Sequence, residues 1–296
     1  MRHETLLTKQ PSLLSLYTRA LFKRASSSTK TPNIASLVIT TKPNLKQLKH
    51  YKQLCNDTSN NTVLPPLYPQ ALAFRLHLEL LLNKQLPFPV MGLVHRNNRV
   101  DYFSSISPDD ILTIKVGLDQ YDENNKGINC TLLTQVYVHG VLKWQATSTY
   151  FYRKTKILTQ KRATSKHLKI MENCNDIVTW SLPANLGRQY AKITGDLNPI
   201  HLYALSAKVF GFKQTIIHGM CMAAKAIAQA QPDDLTFPNQ IDIEFNKPVY
   251  LPDKIAFSQT KQQFCICPIL DRQVIDSPML SGRFVTNLEA VNTHAI

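Results

Sequence analysis

The sequence predicts an α+β fold in which one arrangement, a long helix wrapped by an antiparallel sheet, occurs twice. Three observations carry this expectation. The halves echo each other: Tyr51-Lys-Gln-Leu-Cys-Asn-Asp57 and Tyr190-Ala-Lys-Ile-Thr-Gly-Asp196 place Tyr and Asp at the same spacing, 139 residues apart. Ser107-Pro-Asp-Asp-Ile111 is answered by Leu251-Pro-Asp-Lys-Ile255, 144 residues on. Between these landmarks each half carries an apolar helical stretch, residues 70–82 and 219–230, followed by strand-like segments.

In chain order, Leu13, Leu14, Tyr17, Ala20 and Leu21 recur at helical spacing, with Arg19, Lys23 and Arg24 on or near the polar side. We read a helix packed on the body; a membrane-surface helix and a targeting peptide are the alternatives. Residues 25–32 (ASSSTKTP) form a linker, and 34–40, rich in Ile, Val and Thr, a strand. Val136 and Val138 precede, and Val141 to Trp144 follow, His139-Gly140, a two-residue hairpin turn. Residues 154–179 start polar and basic and connect the halves. Ile241, Ile243 and Phe245 alternate with Asp242 and Glu244, so the apolar three face a core. The 219–230 helix is rich in Ala, which lets it lie close to a sheet. Exposed sheet edges are a liability, so the halves are expected to pair edge to edge as a pseudo-dimer. The expected domains are a basic helix and linker at 1–32, a first unit at 33–155, a connection at 156–176 and a second unit at 177–296.

The chain has 296 residues and a net charge of +14. Residues 1–56 hold ten Lys or Arg and one acid, Glu4, so the excess is mostly N-terminal. No aromatic-interleaved basic stripe or nucleic-acid motif accompanies it, which disfavours nucleic acid. No run approaches the ~20 apolar residues of a membrane span, and no apolar core of a secretory signal follows the first charges. Six Cys (55, 130, 174, 221, 265, 267) lack paired metal-ligand spacing and fit a reducing compartment as small buried hydrophobes. The expected location is cytoplasmic, or the mitochondrial matrix if the N-terminus is a targeting peptide.

The halves differ where the chemistry lies. From Asp57 to Gln70 is 13 residues; from Asp196 to Gly219 is 23. The longer connector reads Asp196-Leu-Asn198-Pro199-Ile200-His201, and ends in His218-Gly219-Met220. Gly195 suits the left-handed residue past a helix end, and Asn198-Pro199 a turn that brings Asp196 and His201 together. A carboxylate beside an imidazole orients it and raises its basicity. Gly219 opens a helix, where a backbone N–H at the positive end of the dipole stabilises a developing oxyanion. Alone, Asp196 would read as a cap and His218 as structural.

These residues resemble the signature of the MaoC-like, (R)-specific enoyl-CoA hydratase family. Tyr190, Gly195, Asp196, Asn198, Pro199, Ile200 and His201 match its motif, His218-Gly219-Met220 its oxyanion loop, and Phe245-Asn-Lys-Pro248-Val249 its following strand. Leu64-Pro-Pro-Leu-Tyr-Pro69 and Phe88-Pro-Val-Met-Gly-Leu-Val-His95 resemble the degenerate first half of double-hotdog members. Pro252-Asp253 stands where the family usually has Gly-Asp.

The resemblance implies a double hotdog and reversible hydration of trans-2-enoyl thioesters to (R)-3-hydroxyacyl thioesters, or the dehydration, with no metal or redox cofactor. Asp196 and His201 would activate the water, and the Gly219 N–H would bind the thioester oxygen. Asn198 would orient loop or water, and His218 and Met220 would line the substrate. Lys213 and Lys247 are candidates for phosphate contact. The implied partner is acyl-CoA or an acyl carrier protein; no integral membrane association is expected, and a homodimer is left open. Asp57 has no Asn-Pro-x-His after it, so one active site per chain is expected. A hotdog thioesterase and a non-catalytic acyl-binding module are the rival readings. His77, His95 and His139 are read as surface or core histidines, with no inferred partner.

Overall fold

The structure, a computed structural model, describes residues 3–26, 31–154, 177–230 and 239–285. All of the expected connection at 156–176 lies outside them, as does part of the 25–32 linker. The chain divides into two compact units. One comprises Met1–Lys49, Asn60–Lys156 and Thr194–Asp196; the other His50–Ser59, Ile157–Ile193 and Leu197–Ile296.

In the first unit the strands are β1 (Glu4–Leu7), β2 (Ser36–Thr41), β3 (Val94–Tyr102), β4 (Leu112–Asn124), β5 (Gly127–Val138) and β6 (Val141–Arg153). Their order across the sheet is β1-β2-β4-β5-β6-β3. All neighbours are antiparallel except β1 and β2, which run parallel with Glu4 opposite Ser36. The edge strand β1 lies in the stretch read from sequence as helix and linker. Its four residues carry too little period-2 signal to be seen. The turn between β5 and β6 is His139-Gly140, with φ of 49° and 79°. Positive φ at both positions gives the twist that a right-handed hairpin needs.

Helix α1 (Leu13–Phe22) precedes this sheet, α2 (Leu45–Cys55) follows β2, and α3 (Tyr68–Leu81) lies against β2, β4 and β5. The long α3 buries Ala73, Leu76, Leu80 and Leu81. Trp144 is fully buried, and its indole N–H donates to the Pro66 carbonyl at 2.9 Å.

Helix α1 packs on α3, on a face that differs from the expected one. Leu16 and Ala20 are buried, whereas Leu14 and Leu21 are 81% and 62% exposed. The spacing of Leu13, Tyr17 and Ala20 was compatible with either stripe; contacts with α3 decide it. The Arg19 guanidinium pairs with Glu79 at 2.7 Å, and Arg75 donates to the Pro11 carbonyl at 3.3 Å. The Lys23 ammonium donates to the Leu81 and Asn83 carbonyls at 2.6 and 2.8 Å, closing the C-terminal end of α3.

In the second unit, β7 (Ile177–Leu182), β8 (Gln240–Phe245), β9 (Asp253–Gln259), β10 (Gln263–Leu270) and β12 (Leu280–Val285) form an antiparallel sheet of order β8-β12-β10-β9-β7. The two-residue β11 (Gln273–Val274) pairs with β10. Ile241 and Ile243 are buried and Phe245 half-buried, following the alternation of β8. Cys265 and Cys267 share one buried face of β10, with sulfurs 3.8 Å apart. Helices α4 (Leu186–Thr194), α5 (Ala204–Val209) and α6 (Gly219–Gln229) complete the unit. The Ala-rich α6 buries seven consecutive residues from Cys221 to Ile227 and lies against β10 and β12. Small side chains allow that close approach. No described helix is long and apolar enough to cross a membrane.

Candidate active site

The connector between α4 and α6 is fixed by its own backbone. Gly195 ends α4 with φ of 81°, a left-handed conformation that an L side chain resists. Asn198 begins a 3₁₀ turn over Pro199–His201; its side-chain oxygen accepts from the Ile200 N–H at 3.4 Å, and its carbonyl from the His201 N–H at 2.9 Å. This is the capping role of a short polar side chain. Arg188 of α4 donates to the Leu202 carbonyl at 2.8 Å, and the Ser206 hydroxyl to the Pro199 carbonyl at 2.7 Å.

His201 is buried, and Ile216 holds both its ring and the residue before it. The Ile216 N–H donates to the Ile200 carbonyl at 3.1 Å, while the Ile216 carbonyl lies 2.8 Å from His201 Nδ1. A carbonyl only accepts, so Nδ1 carries the proton and the neutral ring keeps its lone pair on Nε2. The His201 ring stacks on His218 with centroids 3.7 Å apart. His218 contacts Tyr190 at 5.0 Å, and Tyr190 contacts Tyr51 at 6.2 Å. Three buried rings thus run in file to the His201 imidazole.

Asp196, His201 and His218 each present a donor atom, all within 4.8 Å of one another. This spacing suits one water molecule; a carboxylate with two imidazoles is also a donor set that a divalent cation accepts. His218 stands at the N-cap position of α6, its carbonyl accepting from the Cys221 N–H at 3.1 Å, and Gly219 is the first residue of the helix. The N–H groups of a first helical turn have no acceptor within the helix and sit at its positive end. Gly219 is also sterically required: an added Cβ would stand 2.6 Å from the Phe245 ring. Met220 follows, half-buried.

Lys213 and Lys247 lie on the surface. The Lys213 ammonium sits 4.5 Å from the Tyr250 ring centroid, and that of Lys247 bonds to the Ser277 hydroxyl.

Two features were not read from the sequence. The Tyr17 hydroxyl of α1 lies 3.2 Å from the Gly195 carbonyl and 3.3 Å from Asp196 Oδ1. The other is a buried polar network in the first unit. His77 contacts Thr134 Oγ1 through Nε2 at 2.6 Å and the Tyr150 hydroxyl through Nδ1 at 3.1 Å. Gln70 and Asn98 donate to Ser148 Oγ at 3.1 and 2.8 Å, and His95 stacks on Tyr150 at 4.7 Å. His77 and His95 therefore have definite partners, whereas His139 is an exposed turn residue. Burial pushes His77 down to about 3 and His95 down to about 4, so both stay neutral. Burial, then the nearby Asp196 charge, raises the Tyr150 phenol, which stays protonated as a donor.

Comparisons with known proteins bear on the family and the fold. The family described as MaoC like domain matches residues 155–266. The 3-hydroxyacyl-thioester dehydratase X of Mycobacterium tuberculosis is 30% identical over 191 residues, 64% of this chain and 67% of that protein. The crystal structure of HtdX from M. tuberculosis superposes with a TM-score of 0.67 at 22% identity, covering 84% of this chain and 99% of that one. The crystal structure of a MaoC-like dehydratase from Phytophthora capsici gives 0.65 at 18% identity, covering 87% and 97%. A helix against an antiparallel sheet in each unit is the hotdog arrangement, here present twice. The extended relationship to the mycobacterial protein, together with the family match over the Asp196 to His218 connector, places this chain in the MaoC-like dehydratase family.

Proposed function

We propose that the chain catalyses the reversible hydration of trans-2-enoyl thioesters to (R)-3-hydroxyacyl thioesters. The observation that carries this reading is the meeting of Asp196 and His201 within 4.8 Å, with the His201 tautomer set by Ile216. A dehydratase name on the mycobacterial relative supports the reaction class.

In the hydration direction, a water held by Asp196 and His201 Nε2 attacks C3 of the enoyl group. One of the pair takes a proton from this water, and a proton from the pair is delivered to C2. The thioester oxygen, enolate-like between these events, accepts from the Gly219 N–H. Bonds O–C3 and H–C2 form as one O–H of water breaks, so the enzyme ends unchanged and needs neither metal nor redox cofactor. Asn198 holds the turn, and His218 and Met220 flank the reacting atoms. The carrier is CoA or an acyl carrier protein, and Lys213 and Lys247 are the candidates for its phosphates. A positive field would speed association with either.

Incubation with crotonyl-CoA tests this. Loss of enoyl absorbance with formation of the (R)-alcohol is expected. Release of free thiol would identify a thioesterase. Neither change over a range of chain lengths would leave an acyl-binding module.

A further inference from the structure

The N-terminal helix α1 brings a phenol to the turn that carries the acidic member of the pair. Tyr17 Oη lies 3.2 Å from the Gly195 carbonyl and 3.3 Å from Asp196 Oδ1, one hydroxyl shared between two acceptors. The turn is closely packed there: a Cβ on Gly195 would stand 3.0 Å from Leu13 Cδ2 of the same helix. Helix α1 is itself anchored along its length on α3, through buried Leu16 and Ala20, Arg75 to Pro11, Arg19 to Glu79, and Lys23 to Leu81 and Asn83. A helix fixed this firmly delivers Tyr17 to one place.

We propose that Tyr17 is a positioning residue for the Asp196 carboxylate, so that the basic N-terminal helix completes the active site. The Asp196 side chain has two rotatable torsions, and a hydrogen bond from the phenol to Oδ1 holds it in one rotamer. The same hydroxyl meets the carbonyl of Gly195, the left-handed residue before Asp196, and so fixes the turn beneath it. Positional errors of about 1 Å cost ~10²-fold in rate when reacting groups must be aligned. Both contacts are longer than the 2.7–2.8 Å typical of O–H to O bonds, so the expected effect is smaller than that limit. Within the first unit Asp196 also meets a second phenol electrostatically, Tyr150, whose hydroxyl His77 holds.

This inference rests on the hydratase reading of the site, so its test has one readout that needs no activity. Tyr17→Phe is expected to lower kcat about five- to tenfold with KM changed less than about twofold. Thr18→Val, which removes the neighbouring hydroxyl bonded along the helix to the Leu14 carbonyl, is expected to leave both unchanged. Hydrogen–deuterium exchange should accelerate in the peptide spanning 190–201 of Tyr17→Phe, while peptides of α3 stay protected. Unaltered kcat in Tyr17→Phe overturns the proposal, as does a loss shared by Thr18→Val. Unaltered exchange at 190–201 overturns the clamp even if the wild-type protein hydrates nothing. Inactive wild type with accelerated exchange in the variant would instead sink the hydratase reading and leave the clamp standing.

Discussion

The rings of His201 and His218 stack with centroids 3.7 Å apart and planes 29° apart, fixing the plane in which His201 Nε2 points. At this separation two imidazolium charges would repel by roughly 4 kcal/mol at an effective dielectric constant of 20. The stack therefore favours one neutral ring beside any charged one. If His218 acts mainly through its flat face, His218→Phe should keep kcat within about tenfold of wild type. His218→Ala should lose more than that and about 3 kcal/mol of stability, the usual cost of emptying a buried aromatic site. Steady-state kinetics with thermal unfolding of both variants checks this.

Asp196 and His201 are expected to act as a unit. Asp196→Asn and His201→Gln should each lower kcat by ~10²–10⁴, the range for one positioned proton-transfer group. The double variant should be little worse than either single one, because removing one partner already ends the cooperation. Losses that multiply would show two independent contributions. Circular dichroism should show all three variants folded.

Much of this site was legible in sequence because it is local. Asp196, Asn198, Pro199 and His201 span six residues, and turn chemistry alone brings the first and last together. The start of α6 at Gly219 and the alternation of β8 were legible for the same reason. Tyr17 and Asp196 are 179 residues apart, and no periodicity within either segment announces their meeting. His77, Thr134, Ser148 and Tyr150 are likewise scattered over one helix and two strands. As single polar residues in apolar patterns they look incidental until packing assembles them. The buried face of α1 was ambiguous because two overlapping apolar stripes fit its ten residues, and only α3 chooses between them.

Under the proposed mechanism Gly219 meets two demands, and its replacement separates them. Gly219→Ala places a Cβ 2.6 Å from the Phe245 ring, so helix or ring must shift. Overpacking of this kind costs typically 1–3 kcal/mol. The N–H remains but moves, and a displaced oxyanion donor is expected to lower kcat by up to ~10²-fold, approaching the 10²–10³ of outright loss. Adding Phe245→Leu should recover stability by relieving the contact. Urea midpoints and kcat for the single and double variants measure both effects.

Chelation should leave the reaction intact. The donor set of Asp196, His201 and His218 would accept a divalent cation, yet the proposed chemistry needs those atoms on a water. Activity should survive EDTA, and added Zn²⁺ should inhibit reversibly by occupying the same position. Loss of activity in EDTA that Zn²⁺ restores would replace the water mechanism with a metal-assisted one.

Acid should destabilise the fold through His77, which is 1% exposed and pushed down to about 3 by burial, then by the His95 charge. In the unfolded chain this ring titrates near 6.5. Between pH 6.5 and about 3 the unfolded state therefore binds one more proton than the native state, and stability rises with pH across that window. On acidification this one ring costs roughly 1.4 kcal/mol per pH unit once well below 6.5. His77→Gln does not titrate. It should be less stable than wild type at pH 7, where it loses the contacts to Thr134 and Tyr150, and the gap should close steadily as pH falls toward 4. His95 is present in both proteins, so its own acid sensitivity largely cancels in the comparison. Urea unfolding at pH 7, 6, 5 and 4 gives the difference directly. A gap that stays constant would mean that His77 carries the same charge in the native and unfolded states, contrary to its burial.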